Sequence, residues 1–163
     1  MRLTAAPSPN FGPRVAPPDM IVLHYTGMID GPAALARLTD PDAKVSAHYL
    51  VEEDGRIFAL VPEERRAWHA GQSFWRGETD INGVSVGIEI VNPGHELGYR
   101  PFPAPQIAAV IDLLGDVRSR WTVPNARRAC RTWPTRPCTS SGRTALTRNN
   151  AKTPGSSSPN AWA

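Results

Sequence analysis

A chain of 163 residues with 18 Lys+Arg and 15 Asp+Glu carries a formal net charge of +3, but unevenly: 9 basic and 15 acidic side chains lie up to Asp116, and 9 basic with no acidic ones from Val117 onward. The length holds one domain around a single core and excludes a multi-domain enzyme, and no stretch is apolar enough to span a membrane. Both cysteines, Cys130 and Cys138, fall in the basic tail, which excludes a disulfide framework; that tail lacks the interleaved aromatic and basic residues of a nucleic-acid module.

Residues 1–18 read as an extended arm set by prolines, without the apolar core of a signal peptide, so the default compartment is the cytoplasm. Residues 20–25 (MIVLHY) are too short for a helix and β-branched enough for a buried strand. A helix begun by proline in its first turn is predicted over 32–38 (PAALARL). Two strands, 45–52 and 56–61, flank Asp54-Gly55 and form an antiparallel hairpin. Residues 84–91 (VSVGIEIV) alternate as a strand, with Gly87 marking a close backbone approach. Over 105–118, Ile107, Val110, Ile111, Leu114 and Val117 share one helical face, the spacing of a helix laid on a sheet. After Trp121 no period survives, and residues 122–163 read as a low-complexity, disordered tail. The predicted fold is α/β: a single domain over 19–121, with a central mixed sheet flanked by helices.

Four histidines and one glutamate carry the chemistry. His24, at the end of a strand, is either a hydrogen-bonded core group or a metal ligand. His48, in SAHYLV, reads as a satisfied structural imidazole, and His95, in NPGHELG, as a solvated loop residue. His69, in RAWHAG, suits a ligand-gripping groove or a packed loop equally. Glu89 is a charge inside the most apolar strand, sharing a face with Ser85, Gly87 and Val91. In a cleft its ionisation would be tuned as a general base requires, and on a wet face it would be an ordinary surface group.

Read in order, IVLHYTG (21–27), SAHYLVEEDG (46–55), VPEERRAWHAG (61–71) and INGVSVGIEIVN (81–92) resemble the zinc-dependent type 2 N-acetylmuramoyl-L-alanine amidases, relatives of peptidoglycan recognition proteins. SPNFGPR (8–14) is similar to the lead-in of the bacterial branch. The resemblance spans roughly residues 8–121. It implies a mixed sheet flanked by helices, a zinc ion in a cleft, and hydrolysis of the amide between N-acetylmuramic acid and L-alanine in peptidoglycan or muropeptides. By position, His24 matches the first zinc ligand and Glu89 the acid that activates the water. Arg66, Trp68 and His69 match the substrate-lining motif, and Tyr25 follows the ligand at the cleft wall. His48 corresponds to a position near the site but outside the ligand set. A monomer is the default state.

The tail departs from that pattern. Two further zinc ligands, a histidine and an aspartate, and a basic partner are expected after the long helix, yet the chain has no histidine after His95 and no aspartate after Asp116. Cys130 or Cys138 as a substitute thiolate still leaves the site short. The Arg-, Pro-, Thr- and Ser-rich composition is that of a G+C-rich gene translated out of frame, so a frame shift between about residues 121 and 131 is the working explanation. Three functional outcomes follow: an impaired amidase, a non-catalytic muropeptide-binding module, or a non-functional remnant.

Overall fold

The computed structural model describes residues 1–124; the predicted disordered tail from residue 125 onward and the two cysteines lie outside them. Ten elements follow in chain order: β1 (Leu3–Ala5), β2 (Phe11–Pro13), β3 (Met20–Tyr25), α1 (Gly31–Thr39), β4 (Tyr49–Val51), β5 (Ile57–Ala59), β6 (Arg65–Ala67), α2 (Ile81–Val84), β7 (Ser85–Ile90) and α3 (Ala104–Arg120). Five strands make a mixed sheet in the order β1-β5-β4-β7-β3, while β2 and β6 pair in a separate ribbon. Pairing is antiparallel only between β4 and β5, across the Asp54-Gly55 turn, and parallel elsewhere in the sheet. The predicted mixed sheet with flanking helices is therefore present.

Alternation along β4 and β7 distributes the core. Tyr49, Val51, Val86, Ile88 and Ile90 face α3, meeting Ala109, Val110, Leu113 and Val117. Leu50 and Val91 face the other way and pack with Ala34 and Leu38 of α1. Asp30 caps α1 by accepting from the Ala33 N–H at 2.8 Å, and Pro32 occupies its first turn, where no backbone donor is required.

Three sequence expectations differ from the fold. The buried face of α3 is formed by Gln106, Ala109, Val110, Leu113 and Val117, whereas Ile107 and Ile111 are 40% and 61% exposed. The stripe is rotated because Gln106 sits fully buried and donates through Nε2 to Val51 O at 3.1 Å and Val91 O at 2.9 Å. Val51 O already accepts the Val91 N–H, but Val91 O would otherwise lack a donor, so the amide sets the rotation although its own Oε1 is left unpartnered.

The second correction concerns residues 1–18, which are extended but are not an arm outside the domain. β1 forms the sheet edge beside β5, and β2 pairs with β6. Ser8 Oγ donates to Leu38 O at 2.6 Å, and Asn10 Nδ2 donates to Asp40 O and Val45 O at 2.8 and 2.9 Å. The predicted strand over 45–52 is also shorter than expected, because residues before Tyr49 are spent holding this segment: Ser46 Oγ donates to Asn10 O at 2.5 Å.

The far end of α3 is tied to the loop before β6. Burial alone would raise the Glu63 carboxyl, but hydrogen bonds from Arg120, Tyr49 and Trp121 outweigh it and hold it below the usual carboxylate range. Arg120 grips both Glu63 oxygens, at 3.0 and 2.9 Å, the two-point geometry that makes arginine–carboxylate pairs strong.

Candidate active site

β3 and β7 run parallel and in register, so His24 lies opposite Glu89, and Val22 opposite Gly87, on one face of the sheet. That face is the one α1 covers further along, through Leu50, which also pairs with Glu89. The segment after β6 brings His69 onto it. His24 Nε2 and His69 Nδ1 stand 3.1 Å apart, with the rings edge to face.

His69 is held from three sides. Its backbone N–H and that of Ala70 donate to Asn82 Oδ1 at 3.0 and 2.8 Å, and Asn82 Nδ2 returns a bond to Ala70 O at 2.8 Å. Its Nε2 meets Ser85 Oγ at 3.1 Å. Beneath it lies Gly87, where an added Cβ would fall 2.3 Å from two ring carbons. The close approach expected at Gly87 is thus to an imidazole. Gly87→Ala should cost about 3 kcal/mol by forcing the ring off its seat; a lower urea midpoint together with a changed His69 side-chain NMR signal would confirm it, and an unshifted midpoint would refute it.

Around these groups is a cavity of about 480 Å³ whose lining includes Lys44, Arg66, Trp68, His69, Asn82 and Glu89. Arg66 is already committed, donating from Nη2 to Asp80 Oδ1 at 2.6 Å, while Asp80 also caps α2. Tyr25 stands apart from that lining. It is 51% exposed and lies over Gly94, which has a φ of 70° and admits the ring only because it lacks a Cβ.

Electrostatics distinguishes the titratable groups. Glu89 is 1% exposed, its Oε2 has no hydrogen-bond partner, and burial pushes its carboxyl up to about 8. Burial likewise lowers His24, and lowers His69 well below the usual imidazole value, with the neighbouring His24 and His48 adding to the effect. His48 is fully buried and accepts the Gly87 N–H at Nδ1 over 2.9 Å, so its proton sits on Nε2, facing Arg65 O at 3.1 Å. Burial brings His48 down to about 4, and it serves as the structural group the sequence suggested. His95 is exposed and stacks on Tyr99.

Arg14, Ser85 and Asn82 shape this site without having been singled out from the sequence. Arg14 reaches from β2 and donates to Glu63 O, Arg65 O, Gly83 O and Ser85 O at 2.7 to 3.2 Å. The signal for Asn82 was a short polar residue at a helix start, the type that bonds nearby backbone. Arg14 gave no local signal.

Across residues 14–154 the sequence matches the family model described as N-acetylmuramoyl-L-alanine amidase. The chain belongs to this amidase family. It is similar to N-acetylmuramoyl-L-alanine amidase AmiD of Escherichia coli, 41% identical over 116 residues that cover 64% of this chain and 41% of AmiD. It is also similar to 1,6-anhydro-N-acetylmuramyl-L-alanine amidase AmpD of Salmonella typhimurium, 37% identical over 123 residues covering 64% of this chain and 65% of AmpD. The chain therefore spans less than two-thirds of either relative. Among solved structures, the complex of E. coli AmiD with the substrate anhydro-N-acetylmuramic acid-L-Ala-D-gamma-Glu-L-Lys superposes with a TM-score of 0.60 and 40% identity, covering 67% of this chain and 46% of AmiD.

Amidases of this family are generally zinc-dependent. Among the described residues, no three His, Cys, Asp or Glu side chains converge to hold a metal. Catalytic zinc takes three protein donors and keeps one position open, so His24 alone does not make that site. No helix among the described residues is long and apolar enough to cross a membrane.

Proposed function

We propose that this amidase-family chain carries the cleft for a muramyl-peptide amide and hydrolyses it weakly. The observation that supports the reading most is the buried, unpartnered Glu89 carboxyl in the cavity that His69, Trp68 and Arg66 line. In that role Glu89, once ionised, which its buried setting delays to about pH 8, takes the proton of the attacking water and passes it to the departing L-alanine nitrogen. Trp68 offers an apolar wall for the sugar, Arg66 a cation for a stem-peptide carboxylate through the guanidinium donors its pair with Asp80 leaves over, and Tyr25, outside the cavity lining, an exposed aromatic rim. AmiD binds an anhydro-muramyl tripeptide, and the substrate class proposed for this chain is the same: peptidoglycan fragments, with the chain acting as a cytoplasmic monomer. Zinc, when bound in the family, polarises the carbonyl and acidifies a water; one donor matched by position and no His or Asp after Asp116 leave that contribution weak here. A frame shift between residues 121 and 131 accounts for the loss, and resequencing the coding DNA tests it.

A second reading, a muropeptide-binding module without turnover, draws on the same absence of a three-donor cluster among the described residues. Incubation of the full chain with zinc and an anhydro-muramyl tripeptide separates the two readings. Slow release of the L-alanyl peptide, abolished by Glu89→Ala, supports the amidase. Saturable calorimetric binding without release supports the module, and neither signal leaves a remnant. Metal analysis of purified protein should give well below one zinc per chain; stoichiometric, chelator-sensitive zinc would overturn the incomplete-site reading.

A further inference from the structure

Three groups, of which His69 lines the cavity and His24 and Ser85 lie to either side of it, form a chain of hydrogen bonds whose proton directions can be worked out from one end. Ser85 Oγ stands 2.5 Å from Ile81 O and 3.1 Å from His69 Nε2. A hydroxyl has one proton and two lone pairs. Ile81 O is a carbonyl and only accepts, and it holds the shorter contact, so the Ser85 proton is spent there. Ser85 Oγ is then an acceptor toward His69, and His69 Nε2 carries the hydrogen. In a neutral ring that leaves Nδ1 as a bare lone pair. The partner of Nδ1 is His24 Nε2 at 3.1 Å, and the bond exists only if His24 donates. Among the described residues no hydrogen bond reaches the other nitrogen of His24.

We propose that Ser85 is a positioning residue: through His69 it places the proton of His24 on Nε2 and leaves His24 Nδ1 as the ring nitrogen free to bind. The order of the chain is Nδ1 lone pair on His24, Nε2–H to His69 Nδ1, His69 Nε2–H to Ser85 Oγ, and Ser85 O–H to Ile81 O. Its anchor is a backbone carbonyl of α2, the short helix that Asp80 caps and whose Asn82 also grips the His69 backbone. One turn of helix thus fixes both the seat of His69 and the tautomer of His24. Rotating or losing the Ser85 hydroxyl would free His69 to carry its proton on either nitrogen, and His24 would follow.

The inference deepens the proposed function, since it matters for chemistry only if His24 is a working donor. Its test is spectroscopic and does not need turnover. The full chain, labelled with 15N in its histidines and treated with chelator, is examined by two-bond 1H–15N correlation near pH 7.5. The expected pattern for His24 and His69 alike is a protonated Nε2 and a lone-pair Nδ1. Ser85→Ala should shift both rings toward averaged tautomers, and Ser85→Thr, which keeps the hydroxyl, should restore the original pattern. A wild-type spectrum with His24 protonated on Nδ1 overturns the proposal, as does a folded Ser85→Ala protein whose His24 signals are unchanged. If Ser85→Ala does not fold, the wild-type spectrum alone decides. The ordered pattern in a chain that neither binds nor cleaves muropeptide would sink the proposed function and leave this inference standing; turnover with the opposite tautomer would do the reverse.

Discussion

Glu89→Gln should make the metal-free protein more stable, by about 3 kcal/mol at pH 7 and by almost nothing near pH 4. The carboxyl is buried without a partner and holds its proton up to about pH 8, whereas in the unfolded chain it ionises near the ordinary value of 4.5. Between those two values the folded state binds more protons than the unfolded one, so stability falls as pH rises through that window. At pH 7 the gap of roughly 2.5 pH units above 4.5 corresponds to about 3 kcal/mol at about 1.36 kcal/mol per unit. Glutamine has the same shape and no proton to lose. Paired urea melts of parent and variant across pH 4 to 8, with chelator present, should show a free-energy difference that opens with pH, and thermal melts at neutrality a Tm gap on the order of 10 °C. A constant or absent difference would mean that Glu89 is solvated or paired. The comparison must be between variants, because His48 works in the opposite sense. Its folded value of about 4 against 6.5 unfolded makes the unfolded chain bind more protons in that range, so its contribution grows with pH until about 6.5.

Arg14→Ala should destabilise the fold by on the order of 4 kcal/mol, a large share of the stability of a domain this size. The guanidinium serves the carbonyls of Glu63, Arg65, Gly83 and Ser85, which belong to the loop before β6, to β6, to α2 and to β7. Removing it strands the partly buried carbonyls of Glu63, Gly83 and Ser85, each at a cost of about 1 to 3 kcal/mol, while Arg65 O keeps the His48 Nε2–H. Arg14→Lys should recover less than half of the loss, since an ammonium has three donors on a point and cannot reproduce a planar five-donor fork. Chemical denaturation gives the free energies. Amide exchange adds a spatial check, because protection should fall first in β6 and at the start of β7; an Arg14→Ala protein with the parent's midpoint would refute the assignment.

These two residues mark what sequence reasoning reaches and what it does not. Glu89 announced itself, because a charge inside VSVGIEIV breaks a strong alternation. The strand over Met20–Tyr25 and the helix begun by Pro32 follow from local composition, and the structure has both, but the strand is a half-exposed sheet edge and not the buried strand expected, because apolar composition does not say which strand lacks a neighbour. Arg14 could not be found this way. Its acceptors lie between 49 and 71 residues away in sequence, and an arginine beside prolines reads as solvated. The face of α3 was missed for a related reason. Two overlapping stripes were available, one containing Ile107 and Ile111 and the other Gln106 and Leu113, and apolarity favoured the first. What decides between them is a pair of carbonyls on β4 and at the end of β7 that only the folded sheet brings within reach of Gln106. The family resemblance supplied site roles beyond either limit, and it could do so because the motifs follow one another in chain order.

His24 and Glu89 face each other across two parallel strands in register. Their separation is therefore inherited from the spacing of a β-ladder, about 4.8 Å between neighbouring strands whatever the sequence, and not from the conformation of any loop. The loops at the ends of β3 and β7 can be lengthened, shortened or recomposed without disturbing it. Such a scaffold lets substrate preference drift while the distance between the two groups stays constant, so variation among descendants of this fold would concentrate in the rims of the cleft and spare its floor.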